Sequence, residues 1–176
     1  LVILDLPAFE LRRGEEGVEL VTDPRVAGFL QANRIANEIL RRRVRELIVE
    51  RYRTPRIFDL FCGNGNLSLE LAAEGADVLG WDSSPRAIAE AARSAETYGK
   101  AYYRQGKIGA VRKALKQNAA SRDVLILDPP REGFKREAAE LAALGIETVL
   151  YVSCNPATQM RDTAPFIAAG YRLELL

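Results

Sequence analysis

Apolar residues recur at Phe29, Ala32, Ile35, Ala36, Ile39, Leu40, Val44, Leu47 and Ile48. This 3.6-residue period predicts one long amphipathic helix within DPRVAGFLQANRIANEILRRRVRELIVERY, stopped by Pro55. Upstream, residues 3–22 alternate roughly about RRGEEG, the pattern of a β-hairpin with a charged turn. Downstream the pattern becomes strand, turn, helix, repeated. RIFDLF (56–61), DVLGWD (77–82), AYYRQ (101–105), DVLILD (123–128) and ETVLYVS (147–153) read as strands, and YRLELL starts another. Between them lie helical runs: NLSLELAAEG closed by Gly75, SPRAIAEAARSAETYG with Ser84 as N-cap and Pro85 at its first position, and a run over about 108–119. KREAAELAAL and PATQMRDTAPFIAAG follow, the last with Pro165 as an irregularity. Such alternation predicts an α/β fold: a doubly wound, mainly parallel, Rossmann-like sheet with helices on both faces.

Composition narrows the chemistry. Of 176 residues, 48% are hydrophobic and 28% charged, enough apolar material for one real core. The net charge of +1 provides no global basic field, so any nucleic-acid footprint must be local. The absence of histidine removes Ser-His-Asp, Cys-His and zinc-histidine schemes, and no metal site is expected. Two cysteines far apart do not make a disulfide scaffold, and no apolar run approaches the ~20 residues that cross a bilayer. The make-up reads as cytoplasmic.

In doubly wound folds, ligands bind at the carboxyl ends of the strands, and three loops there are unusual. DLFCGNGN (59–66) carries Gly63 and Gly65, which permit a sharp strand-to-helix turn and close approach of a ligand to a helix N-terminus. A third fingerprint glycine is replaced by Ser68, so a plain tight turn competes with a nucleotide-like cofactor loop. Asp82 ends the next strand, where an acid accepts hydrogen bonds from both ribose hydroxyls of an adenosine; helix capping is the bland alternative. In DPPREGF, two prolines stiffen the loop and hold Asp128 toward the cleft. Cys154 ends the fifth of these strands, just before Pro156 opens a helix whose N-terminus favours a thiolate. Cys62 sits in the packed glycine turn and receives no role.

FDLFCGNGNLSLELA, DPPREGF and YVSCNPATQMRD, in this order, resemble the RNA 5-methyluridine methyltransferases, and GFLQAN resembles the segment that precedes their catalytic domain. The resemblance covers about residues 26–176. It implies S-adenosylmethionine as methyl donor and a uridine of tRNA or rRNA as acceptor. It implies that Gln31, Phe61, Asn66 and Asp82 contact the cofactor along with Gly63 and Gly65. Asp128 would stand at the boundary between cofactor and base, and Cys154 would be the nucleophile. Near Gly106 some members carry a polar adenine contact that this chain lacks.

By the same resemblance, residues 1–24 are expected to be a hairpin remnant of a preceding domain, and residues 25–176 the catalytic domain, incomplete at its C-terminus. The family's carbon 5 base, a glutamate in a tail, has no match before Leu176, which predicts slow release of product. Eight arginines stand against three glutamates from Arg34 to Arg56, which makes either a solvated helix face or an RNA-facing patch. Two other readings compete. A cytosine carbon 5 methyltransferase would need a Pro-Cys loop, whereas Ser153 precedes Cys154. A non-catalytic cofactor- or RNA-binding module is the other. The oligomeric state is not legible.

Overall fold

The computed structural model describes residues 2–5, 13–14, 17–18, 34–98 and 100–175. Among them, β1 (Val2–Asp5), β4 (Arg56–Leu60), β5 (Asp77–Asp82), β6 (Ala101–Gln105), β7 (Val124–Leu127), β8 (Thr148–Ser153) and β9 (Glu174–Leu175) form one sheet, in the order β6-β5-β4-β7-β8-β1-β9. Every recorded pairing in it is parallel. The short strands β2 (Arg13–Gly14) and β3 (Gly17–Val18) pair antiparallel, with Arg13 opposite Val18, within the span expected to be a hairpin. Val2–Asp5 is not one of its arms but lies parallel to β8, with Val2 opposite Leu150. Alternation specifies a strand and leaves its partner open.

The central strands β7 and β8 are buried at every position, as required of parallel strands covered on both faces. The helices α1 (Arg34–Val49) and α3 (Pro85–Ala95) pack on one face through Leu40, Val44, Ile48, Ile88 and Ala91, together with the short α2 (Leu69–Ala73). On the other face, α4 (Ile108–Asn118), α5 (Ala138–Ala142) and α6 (Pro156–Ala168) contribute Leu115, Leu141 and Phe166. The buried line of α1 is Leu40, Val44 and Ile48, a four-residue step. Ile35 and Ile39, counted in the apolar period, are 42% and 44% exposed.

The N-terminus of α3 follows local chemistry. Ser84 Oγ accepts from Ala87 N–H, and Pro85 occupies the first turn, where no N–H is needed. Pro165 lies inside α6 without ending it. The chain runs outward from β4 through β5 to β6, then returns to β7 on the other side of β4. The strand order therefore reverses between β4 and β7, and the loops after these two strands open the crevice where such folds bind ligands. Among the described residues, no helix is long and apolar enough to cross a membrane.

Candidate active site

The glycine loop begins where β4 stops. Phe61 adopts φ 62°, a left-handed backbone rare for an aromatic residue, and Gly63 and Gly65 follow at 54° and 83°. A Cβ on Gly65 would lie 2.8 Å from Leu69 Cγ and 3.1 Å from a Tyr103 ring carbon, so only glycine lets the loop fold this tightly onto its helix. A Cβ on Gly63 would meet nothing within 4 Å. Gly63 thus presents its backbone to open space at the switch point. Cys62 is buried beneath the turn, and burial, reinforced by Asp59 and Asp82, pushes its thiol pKa up, away from nucleophilic use.

Asp82, at the end of β5, accepts from Gly63 N–H at 3.0 Å through Oδ2 and from Ser84 N–H at 2.8 Å through Oδ1. It therefore joins the glycine loop to the α3 cap. A carboxylate offers about four lone-pair sites, so capping leaves Asp82 capacity for ligand hydroxyls. Asn66 makes a reciprocal amide pair with Asn37 of α1, at 3.0 and 2.8 Å. Below the loop, the wholly buried Asp59 accepts from Ser68 Oγ at 2.5 Å, and Ser68 Oγ also shares a 2.8 Å bond with Tyr103 Oη. Asp59 Oδ1 has no hydrogen-bond partner among the described residues. Burial pushes the Asp59 carboxyl up to about 7; the Ser68 bond opposes the shift, and the charges of Asp128 and Asp82 add to it.

Asp128 follows β7, its N–H directed at Leu60 O of β4, 3.4 Å away. Burial pushes its carboxyl up to about 7 as well. The rest of the DPPREGF loop folds back on α6. Phe134 packs its ring against Phe61 (6.1 Å between centroids), Tyr151 (5.1 Å) and Phe166 (6.4 Å). Cys154 is exposed in the bend between β8 and α6. Next to it, Asn155 caps α6 by accepting from Ala157 N–H at 3.2 Å, and its amide Nδ2 donates to Arg131 O at 3.3 Å. The cysteine bend therefore touches the loop that begins at Asp128.

Gly63 and Asp82 meet on the β4–β5 side of the crevice, with Gly65 packed beneath the turn, while Asn66 pairs with Asn37 of α1 and the Phe61 ring turns to Phe134 of the Asp128 loop. Asp128 and Cys154 stand across it, on the loops after β7 and β8. Gln31 lies outside the described residues. Four contributors escaped the sequence reading: Asn37, Asp59, Phe134 and Asp162, the buried α6 carboxylate that accepts from Phe134 N–H at 2.7 Å. Asp59 had left a signal, an acid inside the apolar run RIFDLF. The other three announce themselves only through partners distant in sequence.

The arginine-rich stretch from Arg34 to Arg56 is largely occupied. Arg41 pairs with Glu70, Arg45 with Glu74 at 2.6 Å, Arg43 with Glu46 at 3.3 Å, Arg51 with Glu174 at 2.6 Å and Arg56 with Asp123 at 2.7 Å. These pairs favour the ion-paired, solvated face over a free RNA-facing patch.

Comparison with known proteins agrees with this architecture. Residues 23–166 match the family model of tRNA (uracil-5-)-methyltransferases. The 23S rRNA (uracil(1939)-C(5))-methyltransferase RlmD of Acidithiobacillus ferrooxidans is 38% identical over 96% of this chain and 37% of its own length. The Pseudomonas aeruginosa protein of the same name is 33% identical over 96% of this chain and 38% of its own. The chain thus spans well under half the length of these relatives. The Pyrococcus abyssi tRNA (uracil-54, C5)-methyltransferase, solved with S-adenosyl-L-homocysteine, superposes with a TM-score of 0.64 and 31% identity over 78% of this chain and 33% of that one. With the family model covering most of its length, the chain belongs to the tRNA (uracil-5-)-methyltransferase family.

Proposed function

We propose that the chain is the catalytic domain of an S-adenosylmethionine-dependent methyltransferase acting on carbon 5 of uridine in ribosomal or transfer RNA, in the cytoplasm, with Cys154 as covalent nucleophile. The observation that carries this reading is the exposed Cys154 beside the Asp128 loop, across the switch point from an open glycine turn. The relatives support it, being enzymes of uracil carbon 5 in 23S rRNA and in tRNA.

The crevice fits the cofactor. The side-chain direction of Gly63 opens on free space, Asp82 keeps lone pairs for ribose hydroxyls, and Phe61, packed on Phe134, is a half-buried apolar ring beside the glycine turn. Bound there, S-adenosylmethionine supplies the electrophilic methyl group that carbon 5 takes up. Everything else falls to the chain. Carbon 5 of uracil is too electron-poor to attack alone, so the Cys154 thiolate forms an Sγ–C6 bond and shifts the C5–C6 π pair toward carbon 5. That pair is spent in the new bond from carbon 5 to the methyl carbon; a base then takes the carbon 5 proton, the C5–H pair re-forms the C5–C6 double bond, and the Sγ–C6 pair leaves with the thiolate. A thiolate suits both steps because it adds to and leaves from a conjugated ring, with no imidazole required. Asp128, at the edge of the crevice, would border both cofactor and base. The target uridine must leave its stack, which costs a few kcal/mol.

Labelled methyl transfer into a mixture of unmodified 23S rRNA and tRNA tests the reading. Label should appear in 5-methyluridine, free or held on the protein. Label in 5-methylcytidine, or none with RNA in excess, contradicts it.

A further inference from the structure

The loop that carries Asp128 and the helix that follows Cys154 are bound together by a carboxylate to which the sequence assigned nothing. Asp162 of α6 is wholly buried. Its Oδ2 accepts from Phe134 N–H at 2.7 Å and lies 3.4 Å from Tyr151 Oη, while Oδ1 accepts from Arg161 Nε at 2.7 Å. Arg161 reaches onward and donates to Glu132 O at 2.7 Å. With the Asn155 bond to Arg131 O, three backbone groups of the 131–134 segment are held from α6 and its cap. Between them Gly133 adopts φ 74°, and a Cβ there would collide with Asp162 Oδ2 and the Arg161 guanidinium.

Burying a carboxylate is a poor way to gain stability, since the desolvation cost offsets much of the pairing energy, and an apolar side chain does as well. What this arrangement provides is register. The buried acid accepts a backbone N–H of one element while belonging to the other, so neither can slide alone. Register matters where thiolate addition needs a near-attack geometry, in which a misplacement of about 1 Å costs on the order of 100-fold in rate.

We infer that Asp162, acting through Phe134 N–H and Arg161, is a positioning residue that sets the Asp128 loop against Cys154 for addition to the base. The inference rests on the reading of Cys154 as nucleophile. It is tested by the rate of covalent trapping of a 5-fluorouridine RNA, with S-adenosylmethionine and RNA saturating, in wild type, Asp162→Asn, Arg161→Ala and Arg161→Lys. Cofactor affinity is measured by calorimetry alongside. Asp162→Asn should trap about 10-fold or more slowly with cofactor affinity held within about twofold. Arg161→Ala should also slow trapping, Arg161→Lys should recover part of the rate, and the Asp162→Asn/Arg161→Ala double variant should be no slower than the slower single one. Should Asp162→Asn fail to fold, the exposed Arg161 pair of variants decides alone. Wild-type trapping rates in the variants overturn the inference. So does a fall in cofactor affinity by the same factor as the rate, which marks a general structural role. No trapping by wild type sinks the Cys154 reading itself, and this inference with it.

Discussion

Two aspartates of the crevice hold their protons where an ordinary aspartate has lost them. An unfolded carboxyl ionises near 3.9, whereas Asp59 and Asp128 are pushed up to about 7 by burial. Between these values the folded chain binds more protons than the unfolded one, so stability should fall as pH rises from about 4 to about 7 and then level off. Asp59→Asn removes one of the two groups. Melting followed by circular dichroism should show a shallower loss, with the variant gaining roughly 1–3 kcal/mol relative to wild type between pH 5 and pH 8. An unchanged slope would mean that Asp59 is ionised in the fold. Asp82 carries a different expectation. Asp82→Ala removes both the glycine-loop tether and the proposed acceptor for ribose, and should weaken S-adenosylmethionine binding by roughly 1.5–3 kcal/mol; unaltered calorimetric affinity would take Asp82 out of the site. At this scale, legibility followed local chemistry. Cys154, Asp128 and Asp82 stood out because each is a reactive or acidic group at a strand end. Asp162 and Asn37 did not, because their roles consist of partners 28 and 29 residues away, and no periodicity encodes such pairs.

Helix α1 and the glycine-loop helix are laced by a ladder of constant offset. Asn37 meets Asn66, Arg41 meets Glu70 and Arg45 meets Glu74, each pair 29 residues apart and each step one helical turn. The half-buried amide pair sits at the ligand end, and the exposed ion pairs trail away from it. Exposed pairs contribute about 0–1 kcal/mol each, so Arg41→Ala and Arg45→Ala should cost no more than that in denaturant unfolding. Because the arginines are spent on glutamates, the same substitutions should leave the salt dependence of RNA affinity unaltered; a slope lowered by about one per arginine would place α1 against phosphate instead. Element positions were legible for β5 and β6, which match the expected spans, and for the cap of α3. The helices α2 and α5 are shorter than their apolar runs suggested. The turns ahead of them are shaped by tertiary bonds, Ser68 to Asp59 and Phe134 to Asp162, that propensity does not see.

For the molecule as a whole, the strand order places the glycine turn and the Asp128 loop on either side of one reversal point, with the Cys154 bend one strand beyond. This arrangement was legible as a class, because strand–helix alternation permits few topologies. The position of β1 was not, since a short alternating strand fits a hairpin or a parallel edge equally well. Under the proposed function, the exposed thiol at the end of β8, and not the buried one under the glycine turn, bonds the base. Mass-spectrometric mapping of the peptide crosslinked to 5-fluorouridine RNA, in wild type, Cys154→Ala and Cys62→Ala, tests it most directly. The crosslink should map to Cys154, vanish in Cys154→Ala with cofactor affinity retained, and persist in Cys62→Ala. A crosslink that survives in Cys154→Ala, or maps to Cys62, would contradict the account.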